Sequence, residues 1–244
     1  MPPRAYVICA TPRSGSTLLC DLLAASGAGR PASYFRREDI GYWAGGWGVP
    51  EPDTPAAARR YLEAMKRAGR GYGDLFGLRL MWNSVGDARR LLGAAPGGDS
   101  GLVSLLEGAF GPTLFIHLSR EDKIEQATSL VRAQQTGLWH RHADGSERER
   151  LAPACAPVFD PKRLRRTRDD LARDDAAWGS LFAERGATPL RVRYEALSAE
   201  PSLVLGEVLT ALGRDPAVVR RVAPRTARLA DEVTRAWVER LRSA

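Results

Sequence analysis

Short apolar runs alternate along the chain with segments whose apolar positions recur at helical spacing. The apolar runs predict buried parallel strands at residues 5–10, 76–82, 113–119 and 189–195. The helical spacing predicts helices at residues 16–25, 56–68, 102–109, 121–137, 161–185, 201–212 and 231–242. This order predicts an α/β fold, a parallel sheet covered by helices on both faces, in a single domain spanning residues 1–244.

Two stretches rich in Gly, Pro and charge interrupt this pattern, near residues 41–55 and 140–161. We predict flexible loops there, and neither stretch is long enough to divide the chain into two domains. His140 and His142 fall in the second stretch, without a third ligand at a metal-binding spacing. We interpret them as part of a solvated loop and predict no metal site.

Composition narrows the protein class only slightly. The net charge is +7, and arginine supplies all but three of the 36 basic residues. This excess favours an anionic ligand, although a genome-wide preference for arginine codons explains it equally well. The basic run at 162–168 is followed by acidic residues, so we predict no nucleic-acid partner. Cys9, Cys20 and Cys155 fit no disulfide or zinc pattern, and no apolar run is long enough for a membrane span, so we expect a cytoplasmic protein.

The turn between the first strand and the first helix carries the clearest chemical signal. Residues 10–17, ATPRSGST, keep the register of the P-loop pattern G-x-x-x-x-G-K-[ST], but serine replaces the lysine. A strand that leads through such a turn into a helix directs backbone N–H groups at one point, which attracts an anion. The alternative is a capped helix start that binds nothing. The candidate binding residues are Arg13, Ser14, Gly15, Ser16 and Thr17.

Four segments resemble one known family in the same order along the chain. The stretch TPRSGSTLL resembles the phosphosulfate loop of sulfotransferases that use 3′-phosphoadenosine 5′-phosphosulfate (PAPS), most closely the bacterial Stf0-type family. Residues 77–83, 115–139 and 230–242 resemble that family as well. The resemblance implies a P-loop-like fold and metal-independent transfer of a sulfuryl group from PAPS to a hydroxyl of a carbohydrate or other small molecule, leaving 3′-phosphoadenosine 5′-phosphate (PAP). It also allows a homodimer.

The resemblance assigns further residues to the nucleotide. Arg120 directly follows the strand at 113–119, at the sheet edge where ligands of parallel sheets bind. The resemblance implies that Arg120 and Ser129 hold the 3′-phosphate and that Tyr194 contacts the adenosine. It also implies that Arg228 reaches the nucleotide, although Leu229 stands where the family often has glutamine.

The catalytic residues depart from the family pattern. Arg79 stands where the family carries a lysine beside the transferring sulfate, and we expect Arg79 and Arg13 to stabilise charge there. The family's glutamate base, in the segment P-x-E-[FY]-F, is replaced by Ser33. Three explanations stay open: a nearby carboxylate, Glu38 in preference to Asp39, acts as the base; the acceptor needs little activation; or transferase activity has been lost.

Two other functional classes remain as alternatives. A P-loop kinase would need the missing lysine and a magnesium-binding carboxylate at a strand end, yet the strand at 113–119 leads into Arg120 and the strand at 76–82 into Asn83. A catalytically inactive nucleotide-binding protein of the same fold is the other alternative.

Overall fold

A computed structural model describes residues 2–71, 73–93, 101–223 and 231–243. Its strands are β1 (Ala5–Ala10), β2 (Phe76–Met81), β3 (Thr113–Ser119), β4 (Leu138–Arg141), β5 (Glu147–Arg150) and β6 (Leu190–Arg193). Its α-helices are α1 (Ser16–Ala25), α2 (Ile40–Trp47), α3 (Pro55–Arg70), α4 (Val85–Leu91), α5 (Leu102–Phe110), α6 (Lys123–Thr136), α7 (Pro161–Glu184), α8 (Tyr194–Ala199), α9 (Pro201–Ala211) and α10 (Glu232–Arg242). Across these described ranges, no helix combines the length and apolar character needed to cross a membrane.

The main sheet is parallel, with β1 at its centre. β1 pairs with β2 on one side and with β3 on the other, and β6 pairs with the outer edge of β3. The strand order is therefore β2-β1-β3-β6, while β4 and β5 form a separate antiparallel pair. The predicted α/β fold with a parallel sheet is confirmed.

Strand β1 is apolar throughout because both of its faces are buried. Val7 and Cys9 face a core that α3, α5 and α7 complete, whereas Ile8 and Ala10 face a second core that α1 and α9 complete. Successive side chains of a strand point to opposite faces, so a sheet covered on both sides requires an uninterrupted apolar run. The helices accordingly pack on both faces, as predicted.

The stretch at 41–55, predicted as a loop, contains helix α2. Its glycines argue against a helix, but aromatic packing overrides that preference. The Trp43 ring lies 5.1 Å from the Tyr34 ring, and the Trp47 ring lies 5.1 Å from the Tyr61 ring on α3. These contacts bury one side of α2 against the protein.

The stretch at 140–161, also predicted as a loop, begins with most of the β4–β5 hairpin. Its turn contains Asp144 followed by Gly145, which has a φ of 85°. An Asp-Gly pair between two short extended segments is a typical hairpin signal, which the sequence analysis did not use. The hairpin matters because it lies over the ligand-binding edge of the main sheet.

The turn between β1 and α1 depends on a glycine. Gly15 has a φ of 86°, in the left-handed region that L-residues with a side chain avoid. A Cβ at this position would also lie 2.7 Å from Cδ2 of Tyr194. Tyr194, predicted to close the last strand, instead begins α8 directly after β6, and its ring packs against the turn.

Replacing Gly15 should therefore destabilise the fold. We expect Gly15→Ala to lower the free energy of unfolding by ~1–3 kcal/mol, because the left-handed conformation becomes unfavourable and the Tyr194 ring has to shift. Urea unfolding measures this loss.

Gly179 in α7 provides a matched control, since a Cβ there would meet no atom within 4 Å. Gly179→Ala should raise the free energy of unfolding by about 0.5–1 kcal/mol, as expected for a helix interior. Equal effects of the two substitutions would contradict the constraint at Gly15.

Candidate active site

A cavity of ≈ 480 Å³ opens at the carboxyl edge of the parallel sheet. The turn between β1 and α1 forms its floor, and the ends of β2 and β3, helix α6, the β4–β5 hairpin and the start of α8 form its walls. Its volume lies within the usual range for pockets that take small molecules and cofactors. The switch point of a parallel α/β sheet is also where such ligands bind.

Side chains from two helices hold the floor of the cavity in place. The indole N–H of Trp178 on α7 donates to the carbonyl of Ala10 at 3.0 Å. The amide nitrogen of Gln126 on α6 donates to the hydroxyl of Thr11 at 2.9 Å and to the carbonyl of Pro12 at 2.7 Å. The role of Gln126 was not predicted from the sequence, because a lone helical glutamine has no distinguishing pattern.

Arg13 lies within the turn and points along the cavity wall. It has a φ of 63°, an uncommon conformation for a residue with a side chain. Its Nε donates to Oγ of Ser129 at 3.0 Å, and its Nη1 donates to the carbonyl of Trp139 at 2.6 Å. Burial, and next the charge of Arg120, lower the pKa of Arg13 to about 10, which leaves it charged at neutral pH.

Arg120 lies where the sequence predicted, at the end of β3, and its side chain is buried. Its guanidinium lies over the Tyr194 ring, 4.2 Å from the centroid, donates to Glu125 at 2.8 Å and donates to the Arg13 carbonyl at 3.3 Å. Arg13, Arg120, Ser129 and Tyr194 therefore meet in one place.

Two buried arginine nitrogens on residues that line this cavity have no hydrogen-bond partner among the described residues, Nε of Arg120 and Nε of Arg132. Oγ of Ser14 is also unpartnered, but Ser14 is fully buried and does not line the cavity. Buried donors are normally satisfied, so unpartnered ones beside a cavity point to a ligand that completes them. Both arginine nitrogens can donate to an anion.

A partly buried network of charged side chains supports the backbone at Arg120. The carboxylate of Asp175 lies 2.9 Å from Nε2 of His117 and 2.7 Å from Nζ of Lys123, which also donates to the Arg120 carbonyl. Burial alone raises the pKa of Asp175, but the hydrogen bonds from His117 and Lys123 outweigh it, so the pKa is lowered.

Arg79 projects from β2 into the same cavity. Its Nε donates to Oγ of Ser33 at 2.8 Å and its Nη1 donates to Oγ1 of Thr17 at 3.0 Å. The arginine thus joins the segment around Ser33 to the first turn of α1. Ser33, where the family pattern has a carboxylate, serves as a hydrogen-bond acceptor for Arg79.

His140 lies in the cavity wall on β4, and the prediction of a solvated loop is wrong for this residue. Its Nε2 lies 3.2 Å from Oγ1 of Thr17 and 3.6 Å from Oε2 of Glu149 on β5. Burial, and next the charges of Arg13, Arg79 and Arg148, lower the pKa of His140 to about 3. The imidazole is therefore neutral at pH 7.

The structure does not bring every predicted residue to the cavity. Glu38 and Asp39 do not line it, and Glu38 pairs with Arg36 at 3.3 Å while 70% of its side chain is exposed. This placement does not support the predicted role of Glu38 as a base. Arg228, predicted to contact the nucleotide, lies outside the described residues.

The remaining wall of the cavity is also basic. Arg132 on α6 pairs with Asp231, which caps α10, at 2.6 Å, and Arg36 and Arg150 line the cavity from other segments. None of these arginines was predicted as a site residue, because arginine is common throughout the chain. Together they make the cavity suitable for a ligand with several negative charges.

Comparisons with known proteins agree with this geometry. The family model described as Stf0 sulphotransferase matches residues 5–244. The trehalose 2-sulfotransferase of Mycobacterium tuberculosis is 31% identical, with 98% of this chain and 95% of that protein covered. The trehalose 2-sulfotransferase of Mycolicibacterium smegmatis is 30% identical with the same coverage. The solved sulfotransferase domain of the Synechococcus PCC 7002 olefin synthase is similar in fold, with a TM-score of 0.52 and 17% identity over 100% of this chain and 89% of that one.

The network below Arg120 predicts a pH-dependent stability. A carboxyl group whose pKa is lowered in the folded state stabilises the fold above its unfolded pKa and loses that contribution as the pH falls through the folded pKa. We expect Asp175→Asn to lower the free energy of unfolding at pH 7 by ~1–3 kcal/mol. The difference from the wild type should shrink at about pH 3.5, because the unfolded-state pKa is about 3.9. Urea unfolding at the two pH values measures it.

Asp174, the neighbouring residue, is the control. Burial raises its pKa, so its charge opposes folding and Asp174→Asn should not destabilise the protein at pH 7. An Asp175→Asn defect of the same size at both pH values would contradict the linkage.

Proposed function

The chain belongs to the Stf0 sulphotransferase family and has sulfotransferase function, and we propose that it transfers a sulfuryl group from PAPS to a hydroxyl of a carbohydrate. The observation that carries the choice of donor is the group of partly or fully buried arginines around the glycine-containing turn, with unpartnered Nε donors on Arg120 and Arg132 in the cavity lining. A nucleotide that bears both a phosphosulfate and a separate phosphate matches two neighbouring anion sites.

In this proposal the two ends of PAPS occupy the two sides of the turn. The amides and hydroxyls of residues 14–17, at the start of α1, receive the 5′-phosphosulfate. Arg120 and Ser129 receive the 3′-phosphate, and Tyr194, stacked with Arg120, lies beside the adenosine. Arg13 belongs to the turn and its side chain is hydrogen-bonded to Ser129, so it lies between the two proposed sites.

The chemical step is an in-line displacement at sulfur. The acceptor oxygen forms a bond to sulfur while the bond from sulfur to the bridging oxygen breaks, and the bridging oxygen leaves with the electron pair. Arg79 and Arg13 stabilise the charge that develops on that oxygen. Ser33 and Thr17 hold Arg79 in position for this task through its Nε and Nη1.

A carbohydrate is the acceptor we propose, for two reasons. Both mycobacterial relatives are named trehalose 2-sulfotransferases. The cavity wall next to Arg79 is also polar, with Ser33, Asn83 and Ser84 available to hydrogen-bond hydroxyl groups.

The test is direct transfer in vitro. The protein is incubated with PAPS and with trehalose or a panel of other sugars, and mass spectrometry detects the ~80 Da gain of a sulfuryl group. Transfer that continues in EDTA excludes a magnesium-dependent kinase. Binding of PAP without transfer to any acceptor would favour an inactive nucleotide-binding protein.

Arg120 and Arg13 should each contribute strongly to nucleotide affinity. Arg120→Ala removes charge-assisted contacts, so we expect PAP to bind about tenfold or more weakly by isothermal titration calorimetry. Arg13→Ala should have an effect of similar size.

Arg166 on α7 is the control for charge alone, because its side chain is 86% exposed and lies away from the cavity. Arg166→Ala should leave PAP affinity within about twofold of the wild type, as expected for a surface residue. Wild-type affinity in both cavity variants would refute the assignment.

A further inference from the structure

The proposed reaction needs a group that takes the proton of the acceptor hydroxyl, and position 33 does not supply one. Ser33 has no useful basicity near neutral pH, and its hydroxyl already accepts from Arg79. Among the described residues that line the cavity, the carboxylate of Glu125 pairs with Arg120 and that of Asp231 pairs with Arg132. These two carboxylates are therefore already paired with arginines, on the side of the cavity that we propose binds the nucleotide.

His140 and Glu149 lie instead on the Arg79 side of the cavity. The hydroxyl of Thr17 joins them to Arg79, since it accepts from Arg79 at 3.0 Å and lies 3.2 Å from Nε2 of His140. A guanidinium can only donate, so the hydroxyl proton of Thr17 stays available and can donate to Nε2 in the tautomer whose ring proton is on Nδ1. In that tautomer Nε2 is unprotonated and can accept a proton.

We propose that His140 accepts the proton of the acceptor hydroxyl through Nε2, and that Glu149, 3.6 Å from the same atom, stabilises the imidazolium that forms. The inference rests on the proposed sulfotransferase reaction. As the acceptor oxygen bonds to sulfur, its proton passes to Nε2, and the electron pair of the broken bond stays on the leaving phosphate. The imidazolium returns its proton to solvent after product release.

The electrostatics of the empty and the loaded cavity differ at His140. The charged groups around it are Arg13 in the turn, Arg79 on β2, and Arg148 and Glu149 on β5. Burial and the three arginines hold the pKa of His140 at about 3, which makes the free imidazole a weak base. Bound PAPS places negative charge against Arg13 and Arg79, so it raises the pKa of His140. The residue thus gains basicity when the donor is in place.

If His140 only held Thr17 in position, a side chain that keeps this hydrogen bond could replace it without loss of activity. Glutamine can still accept the hydrogen bond from Thr17 but cannot take up a proton at neutral pH. His140→Gln therefore preserves position and removes basicity. We expect kcat to fall by about 10²–10⁴ while PAP affinity stays within about threefold of the wild type.

Two variants serve as controls. His142→Gln changes the exposed histidine of the same hairpin, and Glu38→Gln removes the carboxylate that lies outside the cavity. Both should keep kcat within about twofold of the wild type. A loss of kcat smaller than tenfold in His140→Gln would assign the residue to positioning and overturn the proposal.

The pH dependence provides a readout that a positional role does not produce. A base has to be neutral to accept a proton, so kcat is lost as the pH falls through the pKa of His140 in the loaded enzyme. This inflection should be absent in His140→Gln. Histidine NMR of the wild type, with and without PAP, should show the pKa of His140 rising when PAP binds, and an unchanged pKa would overturn the proposal.

The experiments separate this inference from the function on which it rests. If the wild type neither binds PAP nor transfers the sulfuryl group, the proposed function fails and the role of His140 fails with it. If the wild type transfers and His140→Gln transfers equally well, only the role of His140 is wrong.

Discussion

The fixed path of the backbone between β1 and α1 is the constraint on which the rest of the site depends. The strand reaches this turn through the centre of the sheet, buried on both faces, and cannot move without disturbing two cores. Trp178 and Gln126 donate hydrogen bonds to the carbonyls of Ala10 and Pro12 and hold them in place. Gly15 then takes a left-handed conformation that lets the Tyr194 ring approach. An anion site made of backbone N–H groups needs this rigidity, because the donors have to be aligned before the ligand arrives.

The sequence predicted the parts of the fold in which burial produces a pattern. Strand β1 and helix α1 have the predicted bounds, since a doubly buried strand is uniformly apolar and a helix start after a P-loop-like turn is distinctive. The β4–β5 hairpin was missed because it carries charged residues on both strands and little apolar alternation. For this reason His140 was predicted to lie in a solvated loop, although it lines the cavity.

The site residues also divide into those that the sequence predicted and those that it did not. Arg13, Arg79, Arg120 and Ser129 were predicted because each adjoins a strand end or a family motif, and the structure places all of them along one cavity. Gln126 acts through a contact between residues far apart in the chain, and Glu149 through its position opposite His140. Contacts of this kind depend on how helices and hairpins pack, which local patterns do not record.

The concentration of arginines in the cavity affects both its affinity for anions and the protonation of His140. Burial, and next the charge of Arg120, lower the pKa of Arg13, and a polyanionic ligand relieves the repulsion between these two cations. Burial, and next the charges of Arg13, Arg79 and Arg148, lower the pKa of His140 and keep it neutral. A lysine at position 79 could lose its proton to a neighbouring base, whereas an arginine does not at neutral pH. With Arg79 bonded to Ser33, the position that is a carboxylate in the family pattern now orients a cation. In the proposed reaction the proton acceptor then has to come from another wall of the cavity, and we propose the imidazole of His140 on the hairpin for that role.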